Sequence, residues 1–194
     1  MAAYAYRFFD HTADVGVEAE ADSREELFAA VAEAVVHLLL ERPPRPGDAG
    51  DPDGSAAKER VFEATAPDLE TLLVRWVNEI LYWVQVEEWV PARTAVTLRS
   101  SAGRDVPGED TRQERTPQRQ AEEGALPGDV PKGVPEGDPD RGWRLAATCA
   151  GVPLDVRVMG FRGEIKAATY HQLAVRPVAA PAPGRWQARI ILDV

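Results

Sequence analysis

The chain has 194 residues, a mass of 21.2 kDa, 44% hydrophobic residues and a formal net charge of −10. That apolar share can fill a sizeable core and excludes wholesale disorder. The acidic balance argues against direct binding to nucleic acid, whose phosphates are held chiefly by Lys and Arg, and it suits a cation or a basic protein surface.

Residues 4–9 (YAYRFF) and 15–21 (VGVEAEA) read as two strands flanking the corner DHTAD, Asp10 to Asp14. In the second, Val15, Val17, Ala19 and Ala21 alternate with Gly16, Glu18, Glu20 and Asp22, the period of a strand with one buried and one wet face. Ser23 followed by Glu26 is a capping-box signature. Leu27, Val31, Ala34, Val35 and Leu38 then recur at helical spacing, which predicts a helix over about 24–41. His37 has no ligand-type neighbour in the sequence and reads as an ordinary residue of that helix.

Residues 42–59 form a Pro/Gly/Asp-rich connector, followed by a short strand, RVFEATA. Asp68 can cap a second helix over about 68–87, where Leu69, Leu72, Leu73, Trp76, Ile80, Trp83 and Val84 make a broad apolar stripe. Such an aromatic stripe reads as core, not as a cofactor box. ARTAVTLR (92–99) is a further strand.

Residues 101–141 contain no aromatic residue, Ile or Met, and carry 10 Asp+Glu against 6 Lys+Arg. They cannot bury enough apolar surface to offset the entropy of ordering, so they are expected to be a disordered insertion between two strands that pair. Loop closure grows only logarithmically with length, which lets a core tolerate it. GWRLAATC (142–149) resumes as a strand, GVPLDVRVMGFRG is turn-rich, and EIKAATYHQLAVRPV and GRWQARIILDV close the chain as strands. The expected architecture is a single-domain, two-layer α+β sandwich with a mixed or antiparallel sheet and two main helices. The lone Cys149 excludes an intramolecular disulfide and a cysteine-based metal site, and its apolar setting points to a buried thiol. The start of the sequence lacks a secretory pattern, and no run approaches the roughly 18 apolar residues of a membrane span. A soluble cytoplasmic protein is the expectation.

Three places could carry chemistry. DHTAD is the first; Asp22 lies roughly 25 Å from Asp14 along an extended strand, too far to share an ion without a bend or bulge, and reads first as favouring the start of the helix. The second is EIKAATYHQ, with Lys166 and His171, which could serve acid–base work only with a partner to tune them. The third is the ending IILDV: Asp193 and Val194 set two anionic groups together, which calls for water or for a hard cation such as Ca²⁺, Mg²⁺ or Mn²⁺.

With these residues in view, the sequence resembles the archeases. The matching stretches are FFDHTADVGVEAEADSREELFAAVAEAV, DLETLLVRWVNEILYWV, EIKAATYHQLAV and the terminal IILDV. The long 42–59 connector, the 101–141 insertion and MGFRGE ahead of IKAATYH depart from the family pattern. The resemblance implies a compact α+β accessory protein, not itself an enzyme, for the RNA-splicing ligase of tRNA maturation and RNA repair. It implies promotion of that ligase's guanylylation and multiple turnover. It also implies a divalent cation, commonly calcium, at Asp14, Asp193 and Val194, the last through its carboxylate or backbone, with Asp10, Asp22 and Lys166 matching further positions used in activation. From the acidic balance and the lack of a long apolar run, no direct contact with nucleic acid and no membrane are expected. Two other classes stay open: a small acid–base enzyme using Lys166, His171 and the carboxylates, and a metal-free chaperone or interaction module.

Overall fold

The computed structural model describes residues 4–11, 14–45, 47–48, 58–100, 142–178 and 184–194. The α+β class is observed. Its elements in chain order are β1 (Tyr4–His11), β2 (Asp14–Ala21), α1 (Arg24–Leu39), β3 (Lys58–Ala66), α2 (Leu69–Gln85), β4 (Trp89–Ser100), β5 (Trp143–Pro153), α3 (Val156–Met159), β6 (Ala167–Pro177) and β7 (Trp186–Asp193). All named strand pairs are antiparallel, and the strands divide into a four-stranded sheet, β1-β2-β7-β6, and a three-stranded sheet, β3-β5-β4.

Ser23 caps α1 as the sequence implied. Its Oγ accepts from the Glu26 amide at 3.1 Å and donates to the Glu26 carboxylate at 3.2 Å. Buried residues run almost all round the helix, Leu27, Phe28, Val31 and Val35 together with Ala30, Ala32, Ala34 and Val36. A helix apolar on every side belongs inside the core, and α1 accordingly packs on β1, β2 and β7 of one sheet and on β4 of the other. The second helix, α2, also touches both sheets, through β6 and through β3, β4 and β5. Asp68 caps it, accepting from the Thr71 amide at 2.7 Å. Its tryptophans are core, as expected. Trp76 is fully buried, stacks on Phe62 at 5.6 Å and donates its indole N–H to the Phe28 carbonyl at 3.0 Å, while Trp83 meets Trp76 and Trp89 edge-on. Cys149 is buried, and burial pushes its thiol up to about 11.

Several boundaries differ from the sequence reading. The first helix ends at Leu39, not near residue 41, because Leu40 turns extended ahead of Pro43 and Pro44 and bridges to Phe161. The Glu41 and Arg42 amides then donate to Gly160 and Met159 carbonyls, at 2.9 and 2.8 Å. The second helix spans Leu69–Gln85 where 68–87 was expected, and the connector gives way to β3 at Lys58, two residues early, through pairing with β5. The ambiguous stretch after β5 contains α3, one turn capped by Asp155. The remaining connector residues 46 and 49–57, and the expected disorder at 101–141, lie outside the described residues. The strands on either side of that insertion do pair, with Ser100 opposite Trp143.

Strand β6 forms one edge of the four-stranded sheet, and three polar side chains of α2 tie it down. Glu70 accepts from the Val175 amide at 3.1 Å and Asn78 from the Ala168 amide at 2.9 Å. Gln85 holds Ile165, just ahead of the strand, by donating to its carbonyl at 2.8 Å and accepting from its amide at 2.9 Å. Between Thr169 and Ala174 the strand bulges, with Gln172 at φ +52°, and Tyr170, His171 and Gln172 are exposed there.

Candidate functional site

The register of the four-stranded sheet decides which residues meet. His11 pairs with Asp14, Asp14 with Asp193, and Asp193 with Ala167, so one row crosses all four strands at the end of the sheet. Directly opposed residues on antiparallel strands share a face, with Cβ atoms about 4.5–5.5 Å apart. The two aspartates, 179 positions apart in sequence, are therefore immediate neighbours. Alternation fixes their face: Val15, Val17, Ile190 and Leu192 point to the helices, so Asp14, Gly16, Ile191 and Asp193 point away from them. Both aspartates are half-buried.

Lys166 completes the group. Its amide donates to the Asp193 carbonyl at 2.8 Å. Its ammonium donates to the Val194 oxygen at 2.9 Å and lies 3.7 Å from Asp193 Oδ1. Because Gln85 fixes Ile165, the lysine starts from an anchored backbone. A positive nitrogen thus stands among the oxygens to which the sequence reading assigned a cation. This donor set of two carboxylates and the Val194 oxygen consists of hard oxygens, and it fits a calcium- or magnesium-type ion, not a soft one. Among the described residues no group of three or more His, Cys, Asp or Glu could hold a metal ion; any ion here depends on two aspartates and the oxygen of Val194.

The other singled-out residues fall elsewhere. Asp10 pairs with Val15, one position before the row, so alternation puts it on the opposite face of the sheet from Asp14. Asp22 lies at the far end of β2, accepting from Arg185 Nε at 3.1 Å. His171 sits in the β6 bulge with its Nε2 3.2 Å from the Gln172 amide nitrogen. Neighbouring rows on the same outer face carry an ionic ladder. Glu18 accepts from Arg7 and, at 3.2 Å, from Arg189, whose guanidinium lies 4.3 Å above the Phe9 ring. Phe9 in turn covers Gly16, where a Cβ would fall 2.0 Å from the ring.

A second polar group escaped sequence reasoning. Tyr4 and Tyr6 donate to the two carboxylate oxygens of Glu33, at 2.5 and 3.1 Å, and the Tyr6 oxygen lies 2.6 Å from His37 Nδ1. The partner of His37 comes from β1, 31 positions away, and is invisible to a reading of local neighbours. The only signal available was the alternation of Tyr4 and Tyr6 on one strand face, with Glu33 and His37 one helical turn apart. Burial, reinforced by Glu33, pushes the Tyr4 phenol up to about 12, and Tyr6 rises for the same causes.

A two-sheet α+β fold with a carboxylate pair at the end of one sheet defines an acidic, site-bearing module. The sequence matches the family described as "Archease protein family (MTH1598/TM1083)" over residues 6–125 and 120–194. The chain belongs to the archease family. It is 26% identical to the Protein archease of Methanosarcina barkeri, with 97% of this chain and 95% of that protein aligned. It is 25% identical to that of Pyrococcus abyssi, with 97% and 98% aligned. Over a shorter 81-residue stretch, 40% of this chain and 50% of the relative, identity to the Sulfolobus acidocaldarius Protein archease reaches 35%. The solution structure of Methanobacterium thermoautotrophicum Protein 1598 superimposes with a TM-score of 0.56 over the full length of both chains at 22% identity, which bears on the fold. Membership supports an accessory role toward an RNA ligase in general, and the relatives' shared name states no catalytic activity. No described helix is long and apolar enough to cross a membrane.

Proposed function

We propose that this protein is a non-enzymatic activator of an RNA-splicing ligase. In this reading it promotes the ligase's guanylylation and multiple turnover in tRNA splicing or RNA repair, and it does so through a divalent cation, calcium first, with Mg²⁺ or Mn²⁺ as substitutes. One observation carries the reading: Asp14 and Asp193 are register partners at the sheet end, with the Val194 oxygen beside them and a cationic nitrogen already among these groups. Asp14, Asp193 and Val194 would hold the ion. When bound, it supplies positive charge that offsets phosphate charge during nucleotidyl transfer.

The chain's own residues do the rest. The β2–β7 pairing holds the two carboxylates on one face and at fixed spacing. The Gln85 clamp on Ile165 positions Lys166, whose ammonium neutralises part of the acidic group and keeps the two aspartates compatible. Half-burial of both aspartates leaves the site open to a partner's surface. A chain of net charge −10 is drawn to a basic, RNA-handling enzyme rather than to RNA itself. Asp10, on the other face of β1, and Asp22, paired with Arg185, act in this reading as contact residues for the ligase and not as ion ligands.

The test is multiple-turnover ligation by a partner ligase with added wild-type protein, Asp14→Ala or Asp193→Ala. The expected result is loss of stimulation by both variants with the single-turnover step of pre-guanylylated ligase unaffected. Full stimulation by both variants discards the cation, and turnover of substrate by this protein without ligase discards the non-enzymatic role.

A further inference from the structure

An open cleft of about 720 Å³ runs along α1 between β1, the edge of one sheet, and β4, the edge of the other, with residues 41–45 among its lining. Its volume falls in the range of small-ligand sites, roughly 300–1,000 Å³. Ala32, Val36, Pro44 and Pro91 give it apolar walls. Arg42, Arg45 and Arg93 give it three guanidinium groups.

The charges in this cleft are arranged asymmetrically. Of its two carboxylates, Glu33 accepts from Tyr4 and Tyr6, while that of Glu41 forms no hydrogen bond or ion pair among the described residues. Its three guanidiniums form no ion pair and no side-chain hydrogen bond among the described residues. Outside the cleft Arg99, Arg144 and Arg157 are likewise without a side-chain partner among the described residues, but the other arginines differ. Arg7, Arg60, Arg185 and Arg189 all meet carboxylates, and Arg75 donates to the Thr65 carbonyl at 2.6 Å. In a chain of net charge −10, the three guanidiniums of this apolar-walled cleft outnumber its two carboxylates, Glu33 and Glu41. Guanidinium groups recognise planar or tetrahedral oxyanions through paired N–H donors. Three charges are too few for a polynucleotide track, and the surrounding acidity repels one.

We propose that this cleft binds a small organic anion, an apolar body carrying a phosphate or carboxylate group, with Arg42 and Arg93 gripping the oxyanion and the wall beside Val36 and Pro44 taking the body. The site shares no residue with the Asp14–Asp193 row and does not depend on the function proposed for it.

Calorimetric titration of the full chain tests this with phenyl phosphate, benzoate and the neutral benzyl alcohol. At least one anion is expected to saturate at concentrations up to about 10 mM, and the alcohol to bind at least about tenfold more weakly. The stronger of the two anions identifies the oxyanion. Removing two charge-assisted contacts in the double variant Arg42→Ala/Arg93→Ala is expected to weaken binding by about tenfold or more, with the melting temperature unchanged because both side chains are exposed. Asp193→Asn is expected to bind the anion like wild type. Saturation by neither anion, equal binding of the alcohol, or undiminished binding by a folded double variant overturns the proposal.

Discussion

Replacing Asp193 with asparagine separates an ion site from a structural ion pair. Its carboxylate lies 3.7 Å from the Lys166 ammonium, with the two side chains 49% and 63% exposed. At that distance the attraction in a water-like dielectric is about 1 kcal/mol, and measured exposed pairs yield about 0–1 kcal/mol. The Asp14 carboxylate on the register partner opposes it with repulsion of similar size. Asp193→Asn removes both effects, so stability in chelator-treated buffer is expected to stay within about 0.5 kcal/mol of wild type. Added cation changes the comparison. At a hundred times its Kd, a bound ion stabilises wild type by about 2.7 kcal/mol, a rise in Tm of about 5–11 °C for a chain of this length. A site weakened a hundredfold keeps about 0.4 kcal/mol at the same concentration. Thermal melts with Ca²⁺, Mn²⁺ and Mg²⁺ read the difference. Equal shifts for the two proteins, no shift for wild type, or a loss above about 2 kcal/mol in metal-free buffer would each rule out Asp193 as an ion ligand of this kind; the last would make it a structural residue.

Gln85→Leu removes both hydrogen bonds to Ile165 and is expected to cost about 1–3 kcal/mol in urea denaturation, with faster amide exchange at Ile165 and Lys166. Alkaline pH should destabilise the fold in two stages. The folded thiol of Cys149 and phenol of Tyr4 ionise at about 11 and 12 against ordinary values of 9.0 and 10.0, so their contribution is complete below pH 9 and is lost as pH climbs through those raised values. Cys149→Ala should flatten the first stage of the urea-midpoint profile and Tyr4→Phe the second. Because Ser100 and Trp143 are register partners, replacing 101–141 with a turn about a tenth as long should stabilise the chain by about 2 kcal/mol, measured by urea denaturation. A loss of stability would show that the segment packs on the core.

Local patterns carried the elements well. The Ser23 and Asp68 caps and the apolar spacing of both helices are properties of adjacent residues, and they appear in the fold. Non-local pairing was less accessible. Alternation marked β2 as half-buried but could not say that the strands would split into two sheets. The clue was composition: alanines and valines on every side of α1 call for cover from more than one direction. The site was readable only as two acidic ends of the chain. Their meeting depends on β2–β7 register, and a one-residue slip would turn the two carboxylates to opposite faces. The β6 bulge, the Tyr6–His37 contact and the unpaired arginines depend on tertiary neighbours, which adjacent residues in the sequence do not identify.

The side chains of Glu70, Asn78 and Gln85 have a further consequence. By capping amides along β6 and just ahead of it, they leave that margin of the sheet with little left to offer a neighbouring molecule. Self-association by strand-to-strand stacking is thereby blocked on one flank by the molecule's own helix. Crowding copies of this protein together would then extend no ladder from that side, and the acidic row beside it stays clear for a different visitor.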